Sequence, residues 1–212
     1  DGYELKFASP ALQADFGVVL AAVRSDGCAL QFASPALRRH SEVVLAAVSQ
    51  DGYALRFAHE ELRATPELVY AAVLENGRAL EYADDSLRED PVMVISAMQC
   101  CVASLQFAAP ALLADREFML DAVQEVPGAL RFADKALLRD RRFAMDAVRA
   151  NGDLLRYFDE ELRDDRELVM AAVNEDGYAL EHASLRLRHD REIVLAAVRE
   201  DGHALEFGVQ GP

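Results

Sequence analysis

Three adjacent acidic pairs, Glu60–Glu61, Asp84–Asp85 and Asp164–Asp165, are the residues of this chain most suggestive of acid/base chemistry. A glycosidase-like or two-metal site needs such carboxyls held at a defined separation inside a pocket. Here they recur at cap and first-turn positions of helical stretches, where compensating the helix dipole explains them. Cys100 and Cys101 are adjacent, so they lack the C-x₂-C spacing of a metal knuckle, and Cys28 has no partner pair. His40, His59, His182, His189 and His203 fall at different places of the pattern and none forms HExxH. There is no nucleophile elbow, P-loop or dinucleotide fingerprint. The sequence therefore nominates no catalytic, metal or cofactor-binding residue, and an enzyme ranks third among the functional readings.

What carries these residues is a 25-residue repeat. Its fifth position reads Leu5, Leu30, Leu55, Leu80, Leu105, Leu130, Leu155, Leu180 and Leu205. Position 7 is Phe7, Phe32, Phe57, Tyr82, Phe107, Phe132, Tyr157, His182 and Phe207, and position 12 is leucine from Leu12 to Leu187. Position 22 is alanine throughout, from Ala22 to Ala197. The register runs without insertion through eight full repeats, beginning at 1, 26, 51, 76, 101, 126, 151 and 176, with a partial ninth in 201–212. A fixed short period is the signature of a solenoid, whose repeats bury their apolar faces only against neighbours.

Within a repeat such as 26–50, the segment HSEVVLAAVSQ reads as a helix of about three turns. Position 15 (Asp15, His40, Thr65, Asp90, Asp115, Asp140, Asp165, Asp190) supplies its N-cap, with Pro66 and Pro91 at the first helical position. Glu42, Glu67, Glu117, Glu167 and Glu192 follow in the first turn. Asp-Gly or Asn-Gly ends the helix, and Gly27, Gly52, Gly77, Gly152, Gly177 and Gly202 suit a left-handed position there. The ALxFA stretch reads as a short helix. A turn follows, of α or 3₁₀ type, capped by Ser9, Ser34, Asp84, Asp134, Asp159 or Ser184. Alanines at positions 21 and 22 permit close approach, with Leu and the position-7 aromatics filling the remaining space. The expected fold is an all-α, right-handed or superhelical α-solenoid forming a single domain over 1–212, a rod or arc on the order of 70 Å long.

Composition adds limits. The chain is 52% hydrophobic and 28% charged, and its longest apolar runs stop short of a membrane span. Its net charge of −15 is shared by both halves and repels a phosphate backbone, so nucleic acid is not an expected partner. Three cysteines form no ladder across repeats, which disfavours disulfide stapling. No signal or transit segment is visible, and a soluble intracellular or organellar protein is the expectation. The chain opens on Asp1 in mid-pattern, so it reads as a fragment or processed product whose array continues, or is covered, at its ends.

The run from Asp51 and Gly52 through Ala54, Leu55, Phe57, Ala58, Leu62 and Arg63, then a helix like Val18, Val19, Leu20, Ala21, Ala22 and Val23, resembles a known repeat. It is the family catalogued as domain of unknown function 4116, and the resemblance covers essentially the whole chain. It implies a scaffold, and brings no activity or catalytic residue to carry over. Such arrays occur in large proteins of unicellular eukaryotes, algae among them, and in some bacterial effectors.

Departures from the pattern mark candidate contact residues. Cys101–Val102 and Val126–Pro127 replace Asp-Gly, Ser96, Asp121 and Asp146 replace alanine at position 21, and Phe158 replaces a small residue. A patch including Cys100, Cys101, Asp121 and Asp146 is one candidate protein contact; drift in a tolerant array is the alternative. The variable residues after the glycines are another: Tyr3, Tyr53, Arg78, Tyr178 and His203, of types common at interfaces. Solvated loop residues are the competing reading. The expected function is a protein-binding or architectural scaffold, and the second reading a structural subunit of a large assembly, such as an algal organelle complex.

Overall fold

The computed structural model describes residues 1–208. Among them every regular element is helical, and the chain divides into two compact units, Asp1–Leu112 and Leu113–Pro212. The division falls inside the repeat 101–125, between Val102 and Pro127, the two residues that replace Gly at position 2.

Each repeat contributes three pieces, as in Gly52–Phe57, Glu60–Arg63 and Pro66–Glu75. The first piece is a six-residue 3₁₀ helix, and the second is a single α-turn in most repeats. Sequence reasoning placed the 3₁₀ character in the second piece; there it occurs only at Leu37–Arg39 and Leu137–Arg139 among the described residues. In most repeats a side-chain cap reinforces the start of the first piece. Asp51 accepts from the backbone N–H of Tyr53 at 2.9 Å, fixing a tight turn two residues on. Asp26, Asn76, Asn151, Asp176 and Asp201 do the same in their repeats.

The predicted caps of the long helix form where position 15 is aspartate. Asp115 accepts from Phe118 N–H at 2.8 Å and Asp140 from Phe143 N–H at 2.8 Å. His40 and Thr65 make no side-chain cap bond.

The glycines require a correction. No glycine among the described residues has positive φ, so none serves as a left-handed cap. Their role is steric. A Cβ on Gly52 would lie 2.3 Å from the carbonyl oxygen of Ala72, and one on Gly152 2.3 Å from that of Ala172. Gly2, Gly27, Gly52, Gly77, Gly152 and Gly177 each lie under the C-terminal end of the long helix twenty residues on, where only a hydrogen fits, while Val102 and Pro127 take this position in the two repeats beside the division between the units. From Ala47 to Ala197 the alanine at position 22 is buried, whereas position 21 is half-buried or exposed. Close approach therefore uses one alanine of the pair.

Within the first compact unit, the long helix Pro66–Glu75 packs on Ser41–Val48 and Pro91–Cys100, and on the 3₁₀ helices Gly52–Phe57 and Gly77–Tyr82. The second unit repeats the arrangement around Arg166–Glu175. Long helices form one layer and 3₁₀ helices the other, each helix wedged between its own repeat's 3₁₀ segment and the next. Positions 4 and 5 of the 3₁₀ helix and 18, 19, 22 and 23 of the long helix make the core: Ala54, Leu55, Leu68, Val69, Ala72 and Val73 are all buried. Fully burying one such leucine is worth about 1.5–3 kcal/mol, so the period of the core is the period of the stability.

A backbone clasp joins successive repeats at their edge. His59 N–H donates to the carbonyl of Arg38 at 3.0 Å, Asp84 to Arg63 at 3.0 Å and Ser184 to Arg163 at 2.9 Å. The departures at Cys101 and Val126 leave the backbone unchanged: their φ values of −153° and −139° match the −149° of Asp51, and only the side-chain cap bond is missing.

Candidate functional surfaces

The position-3 residues are not loop residues. They sit in the first turn of each 3₁₀ helix, where the Asp or Asn cap fixes their backbone. The tyrosine side chains among them reach the position-7 ring of the following repeat. Tyr3 meets Phe32 edge-on with ring centroids 5.0 Å apart, Tyr53 meets Tyr82 at 6.3 Å and Tyr178 meets Phe207 at 5.7 Å. Asp153 and His182 make the polar version of the same contact at 3.4 Å. The position-7 aromatics thus do not fill the core as the sequence pattern suggested. From Phe32 to His182 they are half-buried at its rim, because position 7 closes the 3₁₀ segment beside the next layer.

The result in each compact unit is a ribbon of rings and polar groups on a rigid backbone. Tyr3 and Tyr178 remain 41% exposed within it, Tyr53 is half-buried, and Arg78 and His203 are exposed. Desolvation, then the carboxylates of Asp201, Glu206 and Asp176, hold the Tyr178 hydroxyl above its usual pKa, so it remains a donor. His203 Nδ1 lies 3.0 Å from its own cap, Asp201.

The other proposed patch separates into local roles. Cys100 is exposed, and its Sγ accepts from Gly77 N–H at 3.3 Å; Gln50 does the same for Gly27 two repeats before. Cys101 is half-buried and, like Cys28, is a free thiol. Burial, together with a 3.1 Å hydrogen bond to Asp51, pushes the Cys28 thiol up to about 11. Asp146 pairs with Arg116 across two adjacent long helices of the second unit, while Asp121 is exposed.

The acidic pairs are engaged structurally. Glu61 bridges to Arg39 at 3.3 Å and Asp85 to Arg88 at 3.1 Å. Asp84 accepts from both the hydroxyl and the backbone N–H of Ser86, which lowers its pKa. Hydrogen bonds from Ser184 and Arg186 lower that of Asp164. Asp165 is lowered chiefly by Arg141, whose Nε lies 2.6 Å away. A general acid working near neutral pH needs the opposite shift.

Arg141 also reaches Glu167 at 2.5 Å, and Arg166 repeats the motif on Asp190 at 3.2 Å and on Glu192. The sequence signal for this ladder was available: arginine at position 16 with Asp and Glu 24 and 26 residues later. Arg141→Gln is expected to move the Asp165 pKa back toward the ordinary carboxylate value, measured by NMR titration of its side-chain carboxyl. Because the folded-state pKa is depressed, the pair's stabilisation is present above the unfolded value of about 3.9 and is lost as pH falls through the folded one. An unchanged Asp165 titration would rule the pair out.

A groove along the single turns was also missed. Recesses of about 320 Å³ and 240 Å³ share Glu60 and Arg63, the first also lined by Arg38 and Phe57 and the second by Tyr82 and Asp84. Arginine recurs at position 13: Arg88 Nε donates to the carbonyl of Phe107 at 2.8 Å and Arg188 Nε to that of Phe207 at 2.7 Å, so these two fasten one repeat to the next, whereas the buried Nε atoms of Arg38, Arg63 and Arg163 have no hydrogen-bond partner. Among the described residues no three His, Cys, Asp or Glu side chains converge as a metal site, and no helix is long and apolar enough to cross a membrane.

Comparison with known proteins gives one result. The family model described as Domain of unknown function (DUF4116) matches residues 1–38, 15–63, 40–88, 65–113, 115–163, 140–186 and 165–207. No curated protein and no solved structure matches the chain.

Proposed function

The chain belongs to the DUF4116 family, and we propose that it is a non-catalytic, protein-binding repeat scaffold. The observation that carries this is the ribbon of position-3 tyrosines braced on the next repeat's rings. In each compact unit, a core whose leucine and alanine positions recur holds surface residues whose type changes from layer to layer: Tyr53 and Arg78 in the first, Asp153 and Tyr178 in the second. Tyrosine offers large, stiff, amphipathic contact area at low entropic cost, which suits recognition of a protein surface. The net charge of −15 favours a basic protein partner over nucleic acid. The free thiols of Cys28, Cys100 and Cys101 fit a reducing, intracellular or organellar setting.

The test is mass spectrometry of what co-purifies with the full-length protein from its own cells, beside the Tyr53→Ala/Tyr178→Ala variant. Partners retained by the native chain and depleted about tenfold or more by the variant are expected if these tyrosines anchor the contact. A fixed set of partners at constant stoichiometry identifies a subunit of a large assembly, the architectural form of the same role. A protein that purifies alone counts against the proposal.

A further inference from the structure

A separate surface lies on the outward face of the long helices. Positions 18, 19, 22 and 23 face the core, so positions 17, 20, 21 and 24 share the opposite side. In the first compact unit this side is apolar over three successive packed helices: Leu45 is 44% exposed, Tyr70 43%, Leu74 54% and Val92 71%, with Ile95 half-buried beside them. Nothing in the folding of these repeats requires large apolar groups here. The second unit places Asp121 and Asp146 on the equivalent face, and Asp146 there takes the ion pair with Arg116.

The charge carried by these three helices is of one sign. The helices Ser41–Val48, Pro66–Glu75 and Pro91–Cys100 contain no lysine or arginine, whereas Glu42, Glu67 and Glu75 are exposed on them. A contiguous exposed apolar surface rimmed by polar groups is a contact surface. With helices about 8–10 Å apart, three of them present roughly 25 Å, the length of a helix of about 17 residues.

We propose that this face docks an amphipathic helix of a partner protein, with an apolar stripe laid across Leu45, Tyr70, Leu74 and Val92 and lysines or arginines beside the stripe. Glu42, Glu67 and Glu75 meet those cations and set the preference for a basic helix. The same carboxylates disfavour a second copy of the chain, which would bring like charges together, and an anionic membrane. The inference deepens the protein-binding reading and rests on it, but it names a surface that the tyrosine ribbon does not include.

The experiment titrates the full chain with an 18-residue leucine–lysine peptide whose leucines fall at i, i+3, i+4 and i+7. A shuffled peptide of equal composition, a leucine–glutamate peptide and phosphatidylserine vesicles serve as comparisons. The leucine–lysine helix is expected to bind at least about tenfold tighter than its shuffled form. Tyr70→Glu/Leu74→Glu should weaken it about tenfold or more, with the thermal midpoint unchanged because both side chains are exposed. Glu42→Lys/Glu67→Lys, which leaves the apolar face intact, should shift preference toward the leucine–glutamate peptide. Equal binding of the shuffled peptide, undiminished binding by Tyr70→Glu/Leu74→Glu, or preferential binding to vesicles would overturn the proposal. Failure here, with partner capture still dependent on Tyr53 and Tyr178, removes this surface and leaves the scaffold reading standing.

Discussion

Gly52→Ala is expected to destabilise the protein by about 2–3 kcal/mol, although alanine ordinarily stabilises a position with negative φ by about 0.4–1 kcal/mol through the unfolded state. The added Cβ would stand 2.3 Å from the carbonyl oxygen of Ala72 and 3.0 Å from the Cβ of Asn76. A carbonyl inside a packed helix cannot swing aside as a lysine tip can, so the layers must part. Gly152→Ala meets the carbonyl of Ala172 in the same way. Two internal controls separate this from any general effect of losing glycine. Gly128 has only the Arg131 side chain near its missing Cβ, at 3.6 Å, and Gly202 has nothing within 4 Å. Alanine at those two sites should be neutral or stabilising by up to about 1 kcal/mol. Urea denaturation of the four variants decides the matter: if Gly52→Ala behaves like Gly202→Ala, the steric account is wrong.

Phe143→Ala is expected to cost more, about 3–5 kcal/mol, the range for deleting a large buried aromatic side chain. Phe143 is fully buried at a position held by Val43, Leu68, Met93, Phe118 and Leu168 in other repeats. The excess volume faces Phe158, itself a replacement for the usual alanine, with ring centroids 6.2 Å apart and planes at 74°. Phe118 already places a phenylalanine here one repeat before, so what distinguishes this layer is Phe158, which gives Phe143 a ring to pack on where other repeats place alanine. A double-mutant cycle with Phe158→Ala should return a coupling of about 0.5–1.5 kcal/mol, the increment of an edge-to-face pair beyond its burial. Additive losses would show that the rings are neighbours without mutual stabilisation.

Much of the candidate surface was legible only in part. Tyr3, Tyr53 and Tyr178 stood out because they vary in a column while the core does not, and that reasoning needed no coordinates. Their partners 29 residues later did not stand out, because the position-7 aromatics look like core residues in a one-dimensional pattern. Leu45, Tyr70 and Leu74 were hidden for a related reason. Val43, Val44, Leu45, Ala46, Ala47 and Val48 run consecutively, and a helix apolar on several sides gives no signal for which side is left open. Asp146 looked like an exposed oddity until Arg116, thirty residues before it, supplied a partner.

The sequence alone determined what depends on residues two to four apart, and on the period. Aspartate at position 15 captures the N–H groups of its own first turn, and aspartate or asparagine at position 1 does so for the 3₁₀ helix, whatever surrounds them. The 25-residue recurrence of leucine and alanine likewise dictated an all-helical repeat, since each repeat can bury its apolar face only on a copy of itself. The tertiary structure decided whatever depends on contact between layers. Gly52 reads as a left-handed cap until the carbonyl of Ala72 is seen above it. A helix pattern records which residues are apolar, and only the packed neighbour fixes how closely backbones meet and which apolar face remains uncovered.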